Sequence, residues 1–332
     1  MPLSFERNDI TAVKCGAAVV PVGSRRDGGI LSAFKAAGGR RLSSAICHAG
    51  GSAAKNPSVI RTPYLNADFL ILVQTPQADG PEPEKALYDC YAAALDAAKL
   101  RTEKGVVIPV IGAGVNGYSA RSAFDTAVGA CRDYLSENEL SITIVVNDKA
   151  PFLHGRRILS DVSGYIAENE AYNAVYAQAA EPFVHAKRKK AAAAPAVYGA
   201  AAFCEEAAPR ESLEEYLKNA DEGFSQTLLK LIDRSGMTDV ECYKRANVDR
   251  KLFSKIRSDP GYRPKKTTAL SFCIALSLSL EETNSLLSRA GYTLSHSSRA
   301  DLIVEYFIKN GKYDIFEINE ALFEFDQALL GV

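Results

Sequence analysis

The sequence predicts a three-layer α/β domain, with a mostly parallel sheet between helices, followed by an all-α domain. Up to about residue 169, four short apolar runs alternate with helical stretches. Continuous apolar runs of this length are typical of strands that helices cover on both faces. After residue 222 the remaining patterns are all helical and carry capping residues at their ends. We therefore expect two domains joined by a spacer.

The first domain, residues 1–169, is predicted from the order of its apolar runs and amphipathic stretches. The alternation of strand and helix favours parallel pairing of the strands. The predicted strands are 17–22, 69–75, 106–112 and 141–147, and the predicted helices are 31–37, 85–98, 120–136 and 156–168.

Residues 170–222 are predicted to be a linker rich in alanine and charged residues, with no steady amphipathic period. The second domain, residues 223–332, carries helical patterns throughout. The predicted helices are 224–235, a short helix capped by Thr238 and Asp239, one that Asp249 opens, and 266–278, 281–290, 297–309 and 314–330.

Composition limits the class of protein. Of 332 residues, 47% are hydrophobic and 24% charged, and the net charge is −1, so the chain as a whole is neither disordered nor a polycation. The first residues lack the apolar core of a secretory signal, and no apolar run is long enough to span a membrane. Seven scattered cysteines form no Cys-x-x-Cys pair, so we expect a cytoplasmic protein with no metal site and no membrane partner.

Two glycine-containing loops follow predicted strands, at the edge where open α/β sheets bind ligands. The first spans 23–30 and contains Gly28 and Gly29, and the second spans 111–118 and contains Gly112, Gly114 and Gly117. A structural turn is a sufficient explanation for either loop on its own. Together, their exposed backbone amides favour a diphosphate or nucleotide-like ligand. Neither loop has the spacing of a P-loop or of a dinucleotide-binding fingerprint.

The first 150 residues resemble a macro domain. The segments that carry the resemblance are Asn8-Asp9-Ile10-Thr11, AAVVPV, Gly28-Gly29 leading into SAFKAAGG, Tyr64-Leu65-Asn66-Ala67-Asp68 leading into FLILVQTP, and VVIPVIGAGVNGYS, in that order. Macro domains bind ADP-ribose and related nucleotides, and some members hydrolyse ADP-ribose linkages. The resemblance thus implies ADP-ribose, or a macromolecule that carries it, as a binding partner, with no further cofactor.

The resemblance also assigns roles to individual residues. Asp9, followed by Ile10, is similar to the acid that accepts a hydrogen bond from the adenine amino group, although a turn residue would also fit there. Asn147 falls where family members contact the adenine side, and a strand-end turn explains it equally well. The distal ribose and diphosphate would contact Gly28, Gly29 and Ile30, and the diphosphate cradle would be Gly112, Ala113, Gly114, Val115 and Asn116.

The sequence departs from the hydrolytic members of this family at two places. Those members usually carry Asn-Ala-Ala-Asn after the first of these strands, where this chain has Pro21-Val22-Gly23-Ser24. The polar residue often found beyond the glycine pair is Leu31 here. Neither Pro21 nor Leu31 can orient water or take up a proton. We therefore expect a binding domain without an assigned catalytic residue, with ADP-ribosyl hydrolysis as the alternative.

Residues 238–257 resemble the helix-turn-helix of Cro/C1-type repressors, and the resemblance extends over about 224–292. Between residues 244 and 266 there are nine basic and two acidic residues, a local charge of 9 − 2 = +7. The resemblance implies that Arg250, Lys251, Ser254 and Lys255 face the major groove of DNA and that Arg263 and Lys265 contact phosphates. A protein-interaction module is the alternative.

The last two predicted helices, after residue 297, are acidic and carry several phenylalanines, which is typical of a dimerisation or packing extension. A homodimer is thus one further expectation. Taken together, the sequence predicts a sensor, in which a nucleotide-binding domain is coupled to a module that binds DNA or a protein partner.

Overall fold

The computed structural model describes residues 2–23, 29–50, 56–113, 116–146, 157–179 and 222–331. Four predicted ligand contacts, Gly28, Gly114, Val115 and Asn147, lie outside these ranges, as does most of the predicted linker. We call the described part up to residue 179 the α/β half and the part from residue 222 the helical half.

A six-stranded sheet forms the centre of the α/β half. Its strands are β1 (Leu3–Arg7), β2 (Cys15–Val22), β3 (Ser58–Arg61), β4 (Ala67–Gln74), β5 (Val106–Pro109) and β6 (Ile142–Val146). The order across the sheet is β1-β6-β5-β2-β4-β3. All neighbours pair in parallel except β3, which runs antiparallel to β4. The mostly parallel sheet is confirmed, while both edge strands, β1 and β3, were not predicted.

Helices cover both faces of this sheet, as predicted. The α/β half contains α1 (Gly29–Gly50), α2 (Pro83–Lys99), α3 (Ala120–Glu137) and α4 (Arg157–Ala179). One face packs on α1 through side chains such as Phe34 and Leu42, and the other packs on α2 and α3 through side chains such as Leu95 and Phe124. Because helices pack on both faces, the strands and the loops that follow them are held in place.

Several predicted boundaries differ from the structure. The first helix extends to residue 50 rather than 37, across a break at Gly39, whose φ is 63°. The strand predicted to reach residue 112 ends at Pro109, because the Ile111 N–H donates to the hydroxyl of Tyr91 (2.6 Å) instead of to a neighbouring strand. Helix α4 continues to Ala179, well into the predicted linker.

The helical half contains seven described helices, five of which begin at a residue whose side chain caps the helix. The seven are α5 (Phe224–Ser235), α6 (Asp239–Arg245), α7 (Arg250–Ser258), α8 (Lys266–Ala275), α9 (Leu280–Arg289), α10 (Arg299–Lys309) and α11 (Ile315–Glu324). Thr238 and Ser279 each form a reciprocal capping box, with Glu241 and Glu282 respectively. None of the helices in the described ranges is both long and apolar enough to cross a membrane.

Helix α11 ends at Glu324, so the prediction that it reaches residue 330 is wrong. Asp326 has a φ of 54°, which turns the chain back on itself. The returning segment is held by Asn319, whose side chain accepts from the Leu330 N–H (2.8 Å) and donates to its carbonyl (3.1 Å). These side-chain bonds replace helical ones, a competition that sequence periodicity does not show.

The two halves pack against each other through one continuous set of buried side chains. The ring of Phe5 on β1 lies 5.8 Å from that of Phe323 on α11. Arg132 on α3 pairs with Asp314 (2.7 Å). The last two helices therefore act as a packing extension for the sheet, which was one of the two alternatives for them.

Candidate functional site

The carboxyl ends of five parallel strands meet at one edge of the sheet. The register pairs Ala18 of β2 with Val107 of β5, and Ile108 of β5 with Ile144 of β6, so these strands end side by side. The segments that follow β1, β2 and β5 carry Asp9, Gly29 and Gly112 respectively. The topology thus brings the predicted ligand segments to one edge.

Asp9 lies in a tight turn directly after β1. Its Oδ1 accepts from the Thr11 N–H (2.9 Å) and from the Thr11 hydroxyl (2.8 Å). The side chain of Asn66 fastens the same turn by donating to the Thr11 carbonyl (2.9 Å). Asp9 therefore does serve as a turn residue, while its exposed carboxylate has a second oxygen that can accept from a ligand.

A cavity of about 430 Å³ joins this turn to the start of helix α1. Its wall consists of Arg7, Asn8, Asp9, Ile10, Gly29, Ile30 and Ala33. Four of the predicted ligand residues, Asp9, Ile10, Gly29 and Ile30, are thus brought together. Arg7, Asn8 and Ala33 were not predicted. Arg7 and Asn8 directly precede Asp9 in the sequence, and this adjacency could have identified them as cavity residues.

The amino end of α1 favours an anion in this cavity. The first turn of a helix leaves N–H groups without intrahelical partners and carries a partial positive charge. No acidic residue occupies the first turn of α1, and a Cβ atom built on Gly29 meets no atom within 4 Å. Among the described residues, the backbone at Gly29 is therefore open to a ligand on the side that a side chain would otherwise take.

The second predicted loop begins where Tyr91 fixes the chain after β5. The fully buried Tyr91 hydroxyl accepts from the Ile111 N–H (2.6 Å) and donates to the Pro109 carbonyl (3.3 Å). Burial raises the pKa of this hydroxyl well above its usual value, so it stays protonated and keeps both bonds. Sequence analysis did not identify Tyr91 as a positioning residue, because a tyrosine in an apolar helix face predicts only packing.

Gly112 and Asn116 occupy contrasting positions in that loop. Gly112 has a φ of 90°, and a Cβ atom there would lie 2.8 Å from the Tyr118 ring, so only glycine fits. Asn116 is buried, with its side-chain amide 3.5 Å from the Thr75 carbonyl and its own carbonyl accepting from Ala78 (2.9 Å). The Asn116 side chain thus ties the loop to the end of β4, and the Asn116 carbonyl ties it to Ala78.

The described wall of the cavity includes one carboxylate, that of Asp9, and no serine, threonine, cysteine, lysine or histidine. Leu31 is 2% exposed and belongs to the core beneath the sheet. Burial raises the pKa of the Cys15 and Cys242 thiols to about 12, which keeps them in the unreactive protonated form. Within the described ranges, no three His, Cys, Asp or Glu side chains are placed to hold a metal ion.

Comparison with known families assigns this part of the chain. Residues 22–127 match the model of the Macro domain family. The α/β half thus contains a segment that matches the macro domain family, and we use the name macro domain for this half. The resemblance seen in the sequence is thereby confirmed for this segment, which includes Gly29 and Gly112 but not Asp9.

Solved macrodomain structures also match this chain. The Oceanobacillus iheyensis macrodomain with ADP is 24% identical, with 43% of this chain and 82% of that chain covered and a TM-score of 0.39. The Trypanosoma brucei macrodomain in complex with ADP is 18% identical, with 46% of this chain and 66% of that chain covered and a TM-score of 0.41. No curated protein matches the chain.

The residues predicted to contact nucleic acid lie on and beside α7. Helices α6 and α7 are joined by a turn in which Asn247 has a φ of 56°. Phe253 and Ile256 of α7 point into the core. The predicted residues are all exposed, and they are Arg250, Lys251, Ser254, Lys255, Arg263 and Lys265. We call these six residues the α7 surface. Its binding of DNA stays a prediction.

Proposed function

We propose that the macro domain binds ADP-ribose or a related ADP-containing nucleotide at the carboxyl edge of its sheet. The observation that carries this proposal is the shared cavity of Asp9 and the open amino end of α1. A carboxylate and the N–H groups of the first turn of a helix, placed in one cavity, suit a ligand with an amino group at one end and phosphates further along. ADP-ribose, the ligand of the macro domain family, has both.

In this proposal each described group has one task. The second carboxylate oxygen of Asp9 accepts from the adenine amino group, while Oδ1 keeps the turn through Thr11. The N–H groups at Gly29 and Ile30 donate to the diphosphate. The backbone at Gly112 and Ala113, next to the bond between Tyr91 and Ile111, closes the other side of the diphosphate.

Isothermal titration with ADP-ribose and with ADP tests the proposal on the full chain. Asp9→Asn keeps an oxygen for Thr11 but places an amide donor against the adenine amino group, so we expect at least a tenfold loss of affinity. Glu103→Gln is the matched control, because Glu103 is an exposed acid before β5, at the opposite edge of the sheet. Absence of heat up to millimolar ligand for the unchanged protein would refute the proposal.

The alternative activity, hydrolysis of ADP-ribose linkages, can be tested on the same samples. The chain is incubated with ADP-ribosylated protein, and released ADP-ribose is measured over time. The sensor interpretation predicts binding without turnover. Turnover that Gly29→Val or Gly112→Val abolishes would instead favour a hydrolase with an unusual catalytic loop.

We propose in addition that the α7 surface binds DNA, which the exposure of its five basic side chains favours. Within the described residues, Lys251, Arg263 and Lys265 form no ion pair, and Lys255 lies over the ring of Tyr262 (5.0 Å). Counterion release predicts affinity that falls as salt rises. Fluorescence anisotropy with a labelled duplex at low and physiological salt measures it.

Helix α3 provides a physical link between the two proposed sites. It begins at the Ser119 cap, directly after the second loop of the nucleotide site, and its last turn contacts the helical half. If ADP-ribose shifts this helix, thermodynamic linkage requires that DNA change ADP-ribose affinity by the same factor. DNA affinity measured with and without saturating ADP-ribose tests this coupling, and equal affinities would disprove it.

A further inference from the structure

The macro domain contacts the amino end of α7 through the segment that joins α3 to β6. Glu139 of this segment accepts from the Tyr243 hydroxyl (2.9 Å) and lies 3.7 Å from the Arg250 guanidinium. Beside it, the Lys244 ammonium donates to the Ser136 carbonyl (2.6 Å). Three successive parts of the helical half, namely α6, the turn and the first residue of α7, thus face the macro domain.

This packing limits what α7 can contact. Helix-turn-helix proteins contact base edges with the first residues of their second helix, which enters the major groove with that end foremost. Here the first residue of α7 is Arg250, beside the Glu139 carboxylate. If the amino end of α7 entered a major groove, residues 136–139 would lie against the duplex, and the Glu139 carboxylate would repel its phosphates.

Arg250 is exposed but pairs with Glu139, whereas the other basic side chains of the α7 surface lie away from this carboxylate. Lys251 and Lys255 lie on the exposed side of α7, and Arg263 and Lys265 continue the same charge into the turn before α8. None of these four side chains pairs with a carboxylate in the described ranges. Exposed lysine and arginine side chains suit phosphate oxygens, which carry no base information.

We propose that the α7 surface binds duplex nucleic acid through its phosphates, without selecting a sequence, and that Glu139 of the macro domain weakens this binding. The proposal rests on the nucleic-acid binding proposed above and defines its mode. Neutralising four phosphates gives a slope of log K against log salt of about −3 to −4. Removing the charge of Glu139 tightens binding, because it frees Arg250 and removes repulsion of the backbone.

The experiment uses the full chain and labelled duplexes of about 20 base pairs. Selection from a random duplex pool is expected to enrich no motif, and two duplexes of scrambled sequence are expected to bind within twofold of each other. An enriched motif, or a scrambled duplex that binds more than tenfold more weakly, would overturn the proposal. Lys251→Ala combined with Lys255→Ala is expected to reduce affinity at least tenfold and to lower the salt slope by about 2.

The role of Glu139 is tested with a matched pair of variants. Glu139→Gln keeps an oxygen for the Tyr243 hydroxyl but loses the charge, and we expect about threefold to tenfold tighter binding. Glu137→Gln removes an equal charge from an exposed side chain two residues away and is expected to change affinity less than twofold. Equal effects of the two variants would overturn the assignment to Glu139. If no duplex binds even at low salt, the proposed DNA binding itself is wrong, which is a different result from binding with a sequence preference.

Discussion

The side-chain amide of Asn247 pairs with both backbone polar groups of Leu3. Its Oδ1 accepts from the Leu3 N–H (2.7 Å), and its Nδ2 donates to the Leu3 carbonyl (2.9 Å). Leu3 lies on β1, an edge strand of the sheet, and these groups point away from β6. Asn247 therefore supplies the hydrogen bonds that a further strand would have made, which protects the edge and attaches the helical half to the sheet.

Asn247→Gly tests the importance of this attachment. Glycine accepts the φ of 56° at this position, so the backbone is preserved while both bonds to Leu3 are lost. Two buried backbone groups without partners cost about 1–3 kcal/mol each, and we expect a loss of about 2–6 kcal/mol in the free energy of unfolding. Urea unfolding measures the change. Ser277→Gly, at an exposed position with a similar φ of 53°, is the control for the backbone effect; it removes only one solvent-exposed side-chain bond, from Arg245 (2.9 Å).

Tyr91→Phe tests how the nucleotide site is held. The substitution removes one hydroxyl and leaves the buried Ile111 N–H without a partner, so we expect a loss of about 1–3 kcal/mol in stability. Because this bond sets the path of the chain into the second loop, ADP-ribose affinity is expected to fall several-fold in titration calorimetry. Tyr88→Phe is the control on the same helix, since the Tyr88 hydroxyl bonds to the exposed Asp133. Unchanged ligand affinity in Tyr91→Phe would show that the loop does not depend on this bond.

Gly331→Ala tests how closely the end of the chain packs on the turn between α6 and α7. Gly331 has a φ of 76°, and a Cβ atom there would lie 2.4 Å from the Ala246 carbonyl oxygen. That overlap involves backbone on both sides, so we expect the segment after Asp326 to detach. Hydrogen exchange is expected to increase at Leu330, whose N–H bonds to Asn319. Gly311→Ala, at a positive φ of 65° in open space, provides the comparison.

The parts of the fold that could be predicted are those whose sequence pattern is local. Strands β2, β4, β5 and β6 are continuous apolar runs because both faces of the sheet are covered. The strands that were missed, β1 and β3, lie at the edges, are four or five residues long and carry polar or half-exposed residues. Helix caps such as Thr238 and Asp249 were predicted because the capping residue is adjacent to the helix it caps.

The candidate site shows the same limit. Asp9 and Gly29 could be predicted as ligand contacts from the order of the motifs along the chain. Their common cavity, however, depends on β1 and β2 being separated by two strands in the sheet. The bond between Asn247 and Leu3 spans 244 residues of sequence, and nothing near either residue indicates the other. The position of Glu139 beside Arg250 arises in the same way, so the restriction on α7 is visible only in three dimensions.

A buried carboxylate between α4 and α10 makes part of the stability depend on pH. Glu305 is 3% exposed and accepts from the Tyr165 hydroxyl (3.1 Å), and it pairs with Lys309 (2.5 Å) and with His296 (2.8 Å). Burial by itself raises the pKa of Glu305, but the hydrogen bond and charge of Lys309, the charge of His296 and the Tyr165 hydroxyl together bring it below the usual value of 4.5. The ionised form is therefore the one that the folded protein favours.

The sign of the pH effect follows from that lowered pKa. A carboxyl group whose pKa is lower in the folded state stabilises the fold above its unfolded pKa, and this contribution is lost as the pH falls through the folded value. Glu305→Gln removes the charge, so we expect it to reduce the free energy of unfolding by about 1.5–3 kcal/mol near neutral pH. Below pH 4.5 the difference between the unchanged protein and the variant is expected to shrink. Urea unfolding over this pH range, with Glu103→Gln as control, measures it. A difference that stays constant from neutral to acid pH would show that Glu305 acts by packing and not by its charge.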